Sequence, residues 1–314
     1  MRLLAFSDIH HNLVAVRKLR AFEKNSFDAI IVAGDIGNES AADFFKILAT
    51  FNCPVMYVYG NWDNALDYEA SFGSRCRLIH SNVITIDNIS FTGFSGCPTD
   101  WGKNPIARKL YCRIEERNKD VVDALRSGPT HKIQRTKAYR EYVSQLQSAK
   151  SQILKLNRES IGKAVKKAGV DPRQCVVVTH QRVSRLNEAV PETPLHLFGH
   201  LHTFSEQTFR MTRYVDVAAL DRPVSARPRA KQEWGKEDCR NFNAGNYATI
   251  EINSPRAIKI SCVDLPHDYP NWIPLQDRRY NGIAWIPEET KWTKASDWPL
   301  ALRSTRLNKQ YASP

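Results

Sequence analysis

Five short apolar runs in this sequence are each followed by side chains that commonly bind metal ions. The runs are residues 2–6, 29–33, 55–59, 175–178 and 195–198. The side chains that follow them are Asp8, His10, Asp35, Asn61, His180, His200 and His202. Such runs predict buried strands, and functional residues of open α/β sheets collect where strands end. If the five strands share one sheet, seven ligands converge, which is enough for two metal ions.

The mixture of ligand types indicates the chemistry. Two divalent ions about 3.5–4 Å apart form a clamp for in-line attack at phosphorus. One carboxylate must bridge the ions, and Asp35 is the natural choice because it stands alone in its loop. Imidazole suits first-row transition metals, whereas carboxylate and amide oxygens suit harder ions. We therefore predict two divalent metal ions, with manganese favoured and iron, zinc or nickel as alternatives.

Taken in order, these motifs resemble those of the calcineurin-like metallophosphoesterases. The family pattern is D-x-H, G-D, G-N-H-[DE], a lone His after a strand, and G-H-x-H, and the resemblance covers residues 1–100 and 171–262. Five motifs in the right order, each after a predicted strand, are a specific signal. The resemblance implies one ion held by Asp8, His10, Asp35 and His202. It implies a second ion held by Asp35, Asn61, His180 and His200.

Two positions depart from the family pattern. Trp62 stands where the family often has the histidine that contacts phosphate or protonates the leaving group. His11 stands where the family often has glycine, and by position it is an alternative proton donor or simply a polar residue at a helix start. Asp63 is predicted to orient a ligand histidine or the Asn61 loop. Asn61, Asp63 and His11 are thus the predicted catalytic residues, and Trp62 is either a packing residue or a stacking platform for substrate.

The resemblance implies an α/β fold, a four-layer αββα sandwich of two mixed sheets. Residues 1–262 would form this domain, interrupted by a basic helical insertion at 101–170. The insertion shows two runs of helical spacing separated by a break at 127–129. Runs at 203–209, 214–217, 247–252 and 257–262 predict a second sheet of mostly antiparallel strands. Residues 221–240 are predicted to be a loop, and 263–314, with four tryptophans among prolines, a C-terminal extension.

The net charge of +12 is concentrated in the insertion. Residues 101–170 hold 17 Lys and Arg against six Asp and Glu, so the rest of the chain is close to neutral. Charge runs are usually solvated helix faces, and the alternative is an arm that binds a polyanion. We favour the arm. Together with the replacement of the family histidine by Trp62, such an arm favours a phosphodiester substrate, with nucleic acid or a nucleotide as the partner. The rival hypothesis is a binding or scaffold module, since some relatives in the family have lost their metals.

Composition and sequence patterns indicate the cellular compartment of the protein. No apolar run is long enough to cross a bilayer, and the N-terminus shows no signal-peptide pattern. The seven cysteines are odd in number and lack a C-x-x-C motif, which argues for reduced thiols. We therefore expect a cytoplasmic protein with no membrane partner, and leave the oligomeric state open.

Overall fold

The computed structural model describes residues 1–99, 102–128, 130–222, 243–266, 283–286 and 291–294. The first of its two large sheets contains β1 (Arg2–Phe6), β2 (Ala29–Val32), β3 (Val55–Tyr57), β4 (Cys76–Leu78), β13 (Asn246–Ser254) and β14 (Ala257–Asp264). Its order is β14-β13-β1-β2-β3-β4. The strands from β1 to β4 are parallel, and β13 and β14 are antiparallel additions at one edge.

The second sheet contains β5 (Val83–Ile86), β6 (Ile89–Phe94), β7 (Cys175–Thr179), β8 (Leu195–Phe198), β9 (Ser205–Phe209) and β10 (Thr212–Asp216). Its order is β5-β6-β7-β8-β10-β9, with a parallel centre and an antiparallel strand at each edge. Two short pairs complete the strands of the described residues: β11 (Asp221–Arg222) with β12 (Asn243–Ala244), and β15 (Ile283–Ile286) with β16 (Lys291–Lys294).

Side-chain alternation along β1 shows how the layers form. Leu4 and Phe6 pack into the core beneath α1 (Leu13–Phe22) and α2 (Ala41–Ala49). Leu3 and Ala5 point the other way, into a core shared with the second sheet. Because successive strand residues face opposite sides, one buried strand serves two cores. The predicted αββα sandwich of two mixed sheets is confirmed.

The insertion contains four helices instead of the predicted two: α3 (Pro105–Arg117), α4 (Lys119–Ser127), α5 (Thr130–Ile133) and α6 (Lys137–Ala168). An extra break occurs at Asn118, whose side-chain amide donates to the carbonyl of Ile114 and ends α3. The break predicted near 127–129 is present, although residue 129 lies outside the described part.

The C-terminal half of α6 belongs to the sandwich. Ile161 and Val165 are buried against the outer face of the second sheet, while Ala149 and Ile153 pack on α3. The buried side chains of α6 therefore form two groups, because the helix contacts two partners along its length. The insertion is part helix layer and part basic extension, and the proposed division of the chain into domains stays a prediction.

One prediction about the sheets is wrong, namely that a single second sheet is formed by the runs at 203–209, 214–217, 247–252 and 257–262. β9 and β10 extend the second sheet, whereas β13 and β14 extend the first. Pairing of β13 with β1 explains the difference, because it places Ala248 and Ile250 in the core between the sheets. The predicted loop at 221–240 and the extension at 263–314 lie mostly outside the described residues. Within the extension, the sequence pattern did not predict the β15–β16 hairpin.

Candidate metal centre

The predicted ligands lie where the ends of both sheets meet. Asp8 and His10 follow β1, Asp35 follows β2 and Asn61 follows β3, all in the first sheet. The histidines His180, His200 and His202 follow β7 and β8 of the second sheet. The five strands therefore belong to two sheets and not to one, but the side chains that follow them do converge.

The backbone at these ligands is unusual. Five of the seven have a positive φ, and they are Asp8 (52°), His10 (48°), Asp35 (56°), His200 (76°) and His202 (58°). This left-handed region costs a residue with a Cβ about 1–2 kcal/mol, and such strain clusters at functional sites. The rest of the fold holds these loops in place so that the side chains converge.

Asp35 lies at the middle of the cluster. Its Oδ2 is 3.3 Å from Nε2 of His10 and 3.3 Å from Nε2 of His180. Its Oδ1 accepts a hydrogen bond of 2.7 Å from the backbone N–H of Trp62. A Cβ on Gly60 would lie 2.1 Å from that oxygen, so only glycine permits the approach. Asp35 Oδ2 is thus the atom that faces both ligand groups.

The first ligand group surrounds Asp8. Its Oδ2 accepts hydrogen bonds from the Ser7 hydroxyl and the His200 backbone N–H, at 2.5 and 2.9 Å. Its buried Oδ1 accepts no well-aligned hydrogen bond and lies 3.1 Å from Nε2 of His202 and 3.8 Å from Nε2 of His10. An oxygen left without a donor among imidazole nitrogens fits a metal ligand.

The second ligand group surrounds His180. Its Nε2 lies 3.1 Å from Oδ1 of Asn61 and 3.3 Å from Nδ1 of His200. Its Nδ1 lies 2.8 Å from the carbonyl oxygen of Ala33. A carbonyl can only accept, so Nδ1 carries a proton, and Nε2 is the nitrogen that remains for a metal ion once it has lost its own proton.

Asp221 orients the ring of His10, a role that the sequence did not suggest. One oxygen of this buried carboxylate lies 3.3 Å from Nδ1 of His10. The other accepts a hydrogen bond of 2.8 Å from the side chain of Asn12. This arrangement turns Nε2 of His10 toward Asp8 and Asp35, as carboxylates behind metal-bound histidines commonly do.

Burial and paired charge set the protonation of the cluster. Burial alone would lower the pKa of His10, but hydrogen bonds to Asp221 and Asp35 raise it to about 10. Burial likewise opposes the charge on His180, and the carboxylate of Asp35 outweighs it, so the pKa of His180 lies well above its usual value. Burial would raise the pKa of Asp35, yet His180 and His10 hold it well below normal. A metal ion that binds to these side chains would therefore have to displace protons.

Asp63 connects the loops of the first sheet. Its oxygens accept hydrogen bonds from the backbone N–H groups of Gly60 and Gly37, both at 2.7 Å. Burial, with the nearby charge of Asp35, raises the pKa of Asp63 to about 6. Of its two predicted roles, the contact with Gly60 fits the one that orients the Asn61 loop.

Trp62 and His11 pack beside the ligands. The Trp62 ring lies 4.6 Å from the His10 ring and 6.0 Å from the His11 ring, centroid to centroid. His11 packs against Gly37, and its Nδ1 lies 3.2 Å from the Ser40 hydroxyl. Trp62 therefore packs on the ring of His10, a predicted ligand, and the catalytic role of His11 stays a prediction.

Cys97 is a donor that sequence reasoning missed. Its thiol, with His180 and His200, forms a group whose donor atoms all lie within 4.8 Å of one another. Other groups of this kind are formed by Asp8 with His10 and His202, and by Asp8 with Asp35 and His180. Cys97 follows the end of β6, so its place just after a strand, like that of the other candidates, was the available signal. His196, inside β8, is buried and lies within hydrogen-bond distance of the Thr179 hydroxyl, 2.8 Å from its Nε2.

Comparison with known proteins agrees with this architecture. Residues 1–230 match the model of the calcineurin-like phosphoesterase superfamily domain. The chain therefore belongs to the calcineurin-like phosphoesterase superfamily. A comparison with curated proteins found no match.

Several solved structures are similar to this chain. TT1561 of Thermus thermophilus has 14% identity and a TM-score of 0.45, covering 84% of this chain and 99% of that one. A novel archaeal phosphodiesterase has 10% identity and a TM-score of 0.37, covering 84% and 100%. Vps29 of Entamoeba histolytica, in complex with Zn²⁺, has 11% identity and a TM-score of 0.33, covering 85% and 100%.

None of the helices in the described part of the chain has the length and apolar character needed to cross a membrane.

Proposed function

We propose that the chain hydrolyses a phosphate ester at a centre of two divalent metal ions. The observation that carries this proposal is the position of Asp35 Oδ2, equidistant at 3.3 Å from histidines of two ligand groups. Bound metal ions would supply an activated water and neutralise charge that develops on the phosphoryl oxygens. The superfamily is metal-dependent, and the residues present fit that requirement.

Each side chain has a distinct task in this proposal. Asp8, His10, Asp35 and His202 would hold one ion, and Asp35, Asn61, His180 and His200 the other. Asp63 keeps the Asn61 loop in place through backbone N–H groups. His11, held by Ser40, is the proposed proton donor to the leaving group, and Trp62 supports the His10 ring.

We further propose a phosphodiester substrate, with nucleic acid as the class that the charge favours. Fourteen of the 17 basic residues of the insertion are exposed. The insertion also starts next to the centre, because Asn104 caps α3 directly after the loop that carries Cys97. A polyanion on these helices would therefore lie near the ligands, and phosphate contacts by Lys and Arg are the dominant source of such affinity.

A first experiment tests the centre. The purified protein should bind two equivalents of Mn²⁺ or Zn²⁺ and hydrolyse a chromogenic phosphodiester only when loaded. Asp35→Ala should lose both metals and activity together, because it removes the atom shared by both groups. Asp43→Asn, an exposed carboxylate in α2 that pairs with Lys46, is the control for loss of one charge. Two metals and full turnover in Asp35→Ala would contradict the proposal.

The same experiment decides against the second hypothesis, a scaffold module without catalysis. That hypothesis is disfavoured because the side chains of all seven predicted ligands lie together in one cluster. A protein that binds metal but hydrolyses neither monoesters nor diesters would support the scaffold instead.

A second experiment tests the basic insertion. Deleting residues 101–170 would also remove Ile161 and Val165 from the sheet cover, so charge reversal is the cleaner change. Binding of single-stranded and duplex nucleic acids should weaken with salt, with a slope of about −0.7 or −0.9 per neutralised phosphate. Reversing the exposed Lys132, Arg135 and Arg140 to Glu should flatten that slope by up to about 2–3.

The matched control lies in the opposite helix layer and sheet. Reversal of the exposed Arg17, Lys24 and Arg77 to Glu changes the net charge equally without touching the insertion. If both triple variants lose affinity equally, the attraction is diffuse and the insertion has no special role. Hydrolysis of a small chromogenic diester should be the same in both.

We also propose a reducing compartment, the cytoplasm. In the described part of the chain, Cys53, Cys76, Cys97, Cys112, Cys175 and Cys262 are free thiols, and reduced thiols are typical of that compartment.

A further inference from the structure

We propose that the thiolate of Cys97 is a ligand of the second metal ion and makes that site select zinc over manganese. The inference rests on the proposed two-metal centre and adds a ligand that the family motifs do not contain. Cys97 lies in the loop between β6 and α3, outside all five motifs.

The thiol of Cys97 lies at the second ligand group. Its Sγ is 3.3 Å from Oδ1 of Asn61 and 3.7 Å from Nδ1 of His200. The donor atoms of Cys97, His180 and His200 are close enough to share one ion. One amide oxygen, two imidazole nitrogens and a sulfur therefore surround the same point, beside Oδ2 of Asp35.

The loop around Cys97 fixes the thiol in place. The backbone N–H of Gly96 donates to the carbonyl of Tyr59 at 2.6 Å, and that of Cys97 donates to the carbonyl of Gly102 at 2.7 Å. A Cβ on Gly102 would lie 2.7 Å from the carbonyl oxygen of Cys97, so the two sides of the loop are in close contact. Tyr111 of α3 donates to the carbonyl of Pro98 at 3.0 Å. The loop is thus tied both to α3 and to the segment that follows β3.

Packing alone does not account for this cysteine. Buried thiols commonly act as small apolar side chains, and Cys53 is one, in the apolar core under α1 and α2. Cys97 is equally buried, at 1% exposure, but its neighbours are the polar ends of three metal-ligand candidates. That environment is costly for an apolar group and suits a ligand.

The two ligand groups then differ in the metal ions that they favour. The first group offers carboxylates and imidazoles, which accept manganese as well as zinc. The second group gains a soft sulfur, and thiolate ligands select zinc over hard ions such as manganese. On binding, the thiol S–H bond breaks, its proton leaves to solvent, and the sulfur lone pair forms the bond to the metal, with no oxidant or reductant required.

The test uses cobalt as a spectroscopic substitute for zinc in the full-length protein. Metal-free protein loaded with two equivalents of Co²⁺ should show a sulfur-to-cobalt charge-transfer band in the near ultraviolet. Cys97→Ser should lose that band while still binding cobalt, and Cys53→Ser should keep it. Zinc affinity of Cys97→Ser should fall by at least the roughly 10–100-fold seen for outer-shell changes, with manganese affinity nearly unchanged.

A second measurement does not depend on any variant folding. X-ray absorption at the zinc edge of the wild-type protein should show sulfur scattering at about 2.3 Å. Two bound cobalt ions with diester hydrolysis, but without a charge-transfer band or sulfur scattering, would overturn the assignment of Cys97 alone. Failure to bind any cobalt or zinc would overturn the two-metal centre and this inference with it.

Discussion

Replacing Asp221 with Asn should weaken metal binding although Asp221 is not itself a proposed ligand. In the protein its two oxygens accept from two different donors, Nδ1 of His10 and Nδ2 of Asn12. Asn12 cannot turn its amide, because its Oδ1 caps α1 by accepting from the backbone N–H of Ala15 at 3.0 Å. An asparagine side chain in place of Asp221 offers one acceptor to two donors, so one donor must lose its partner.

The size of the effect follows from that conflict. A buried donor left without an acceptor costs about 1–3 kcal/mol, which corresponds to a factor of roughly 5–150 in an equilibrium constant. If the introduced amide group faces His10, the ring must place its proton on Nε2, where it blocks the metal. We therefore expect a loss of metal affinity of about 10–100-fold, the range seen for partners of metal-bound histidines.

The assay is metal affinity by competition with a chromophoric chelator. Asp221→Asn should bind one ion about 10–100-fold more weakly, and Asp43→Asn should bind like wild type. The double variant Asn12→Asp with Asp221→Asn should recover affinity. In it, the new carboxylate can both cap α1 and accept from the new amide, whose oxygen then faces His10. Affinity within twofold of wild type in the single variant, or no recovery in the double variant, would refute the reasoning.

Three further predictions concern the centre. Because the pKa values of His10, His180 and His200 are raised in the metal-free protein, these rings are protonated below those values and cannot ligate. Metal affinity should therefore rise as the pH rises toward about 10, the pKa of His10. Titration calorimetry in buffers of different ionisation enthalpy should detect the released protons, and pH-independent affinity would contradict this prediction. Trp62→His should accelerate the hydrolysis of esters with poor leaving groups more than that of esters with good leaving groups, since a general acid matters most when the leaving group is basic. An equal effect on both kinds of ester would mark Trp62 as a packing residue. Since the ligands come from both sheets, saturating metal should stabilise the fold by roughly 2.7 kcal/mol at 100 times Kd, and a thermal unfolding midpoint unchanged by chelator would contradict a centre that joins the sheets.

The seven ligand candidates could be located from sequence because local signals mark them. Each follows a short apolar run, and strand ends are where a parallel sheet presents functional groups. Asp35 is predicted to bridge because it stands alone in its loop, and its Oδ2 lies 3.3 Å from Nε2 of both His10 and His180. Local pattern was sufficient here because each ligand is within a few residues of its strand.

The same local signals do not show to which sheet a strand belongs. An apolar run shows that a strand is buried, but it carries no information about its neighbour. β13 was therefore predicted to share a sheet with β10, and the sheet that holds β7 and β8 was left open. Both assignments depend on long-range pairing, such as Leu3 with Ile250, which one sequence cannot reveal.

Residues that support the ligands were missed for a related reason. Asp221 and Asn12 are 209 positions apart, yet a hydrogen bond of 2.8 Å joins them behind His10. Neither residue belongs to a recognisable motif. Each needs only to accept or donate a hydrogen bond to its partner, and several residue types could do that. Cys97 is a third case, since its thiol reaches Asn61 from a loop that carries none of the five motifs.

The chemistry of the centre therefore depends on two kinds of sequence information. The motifs supply the candidate ligands at strand ends. There the sheets fix the position of the backbone, and only a few residue types can bind a metal ion. In the proposed centre, the supporting contacts would decide which nitrogen of His10 faces a metal ion and whether sulfur binds at the second site. Since the bound metal governs the acidity of its water, Asp221 and Cys97, which belong to no motif, would then influence the reactivity of a centre whose location the motifs indicate.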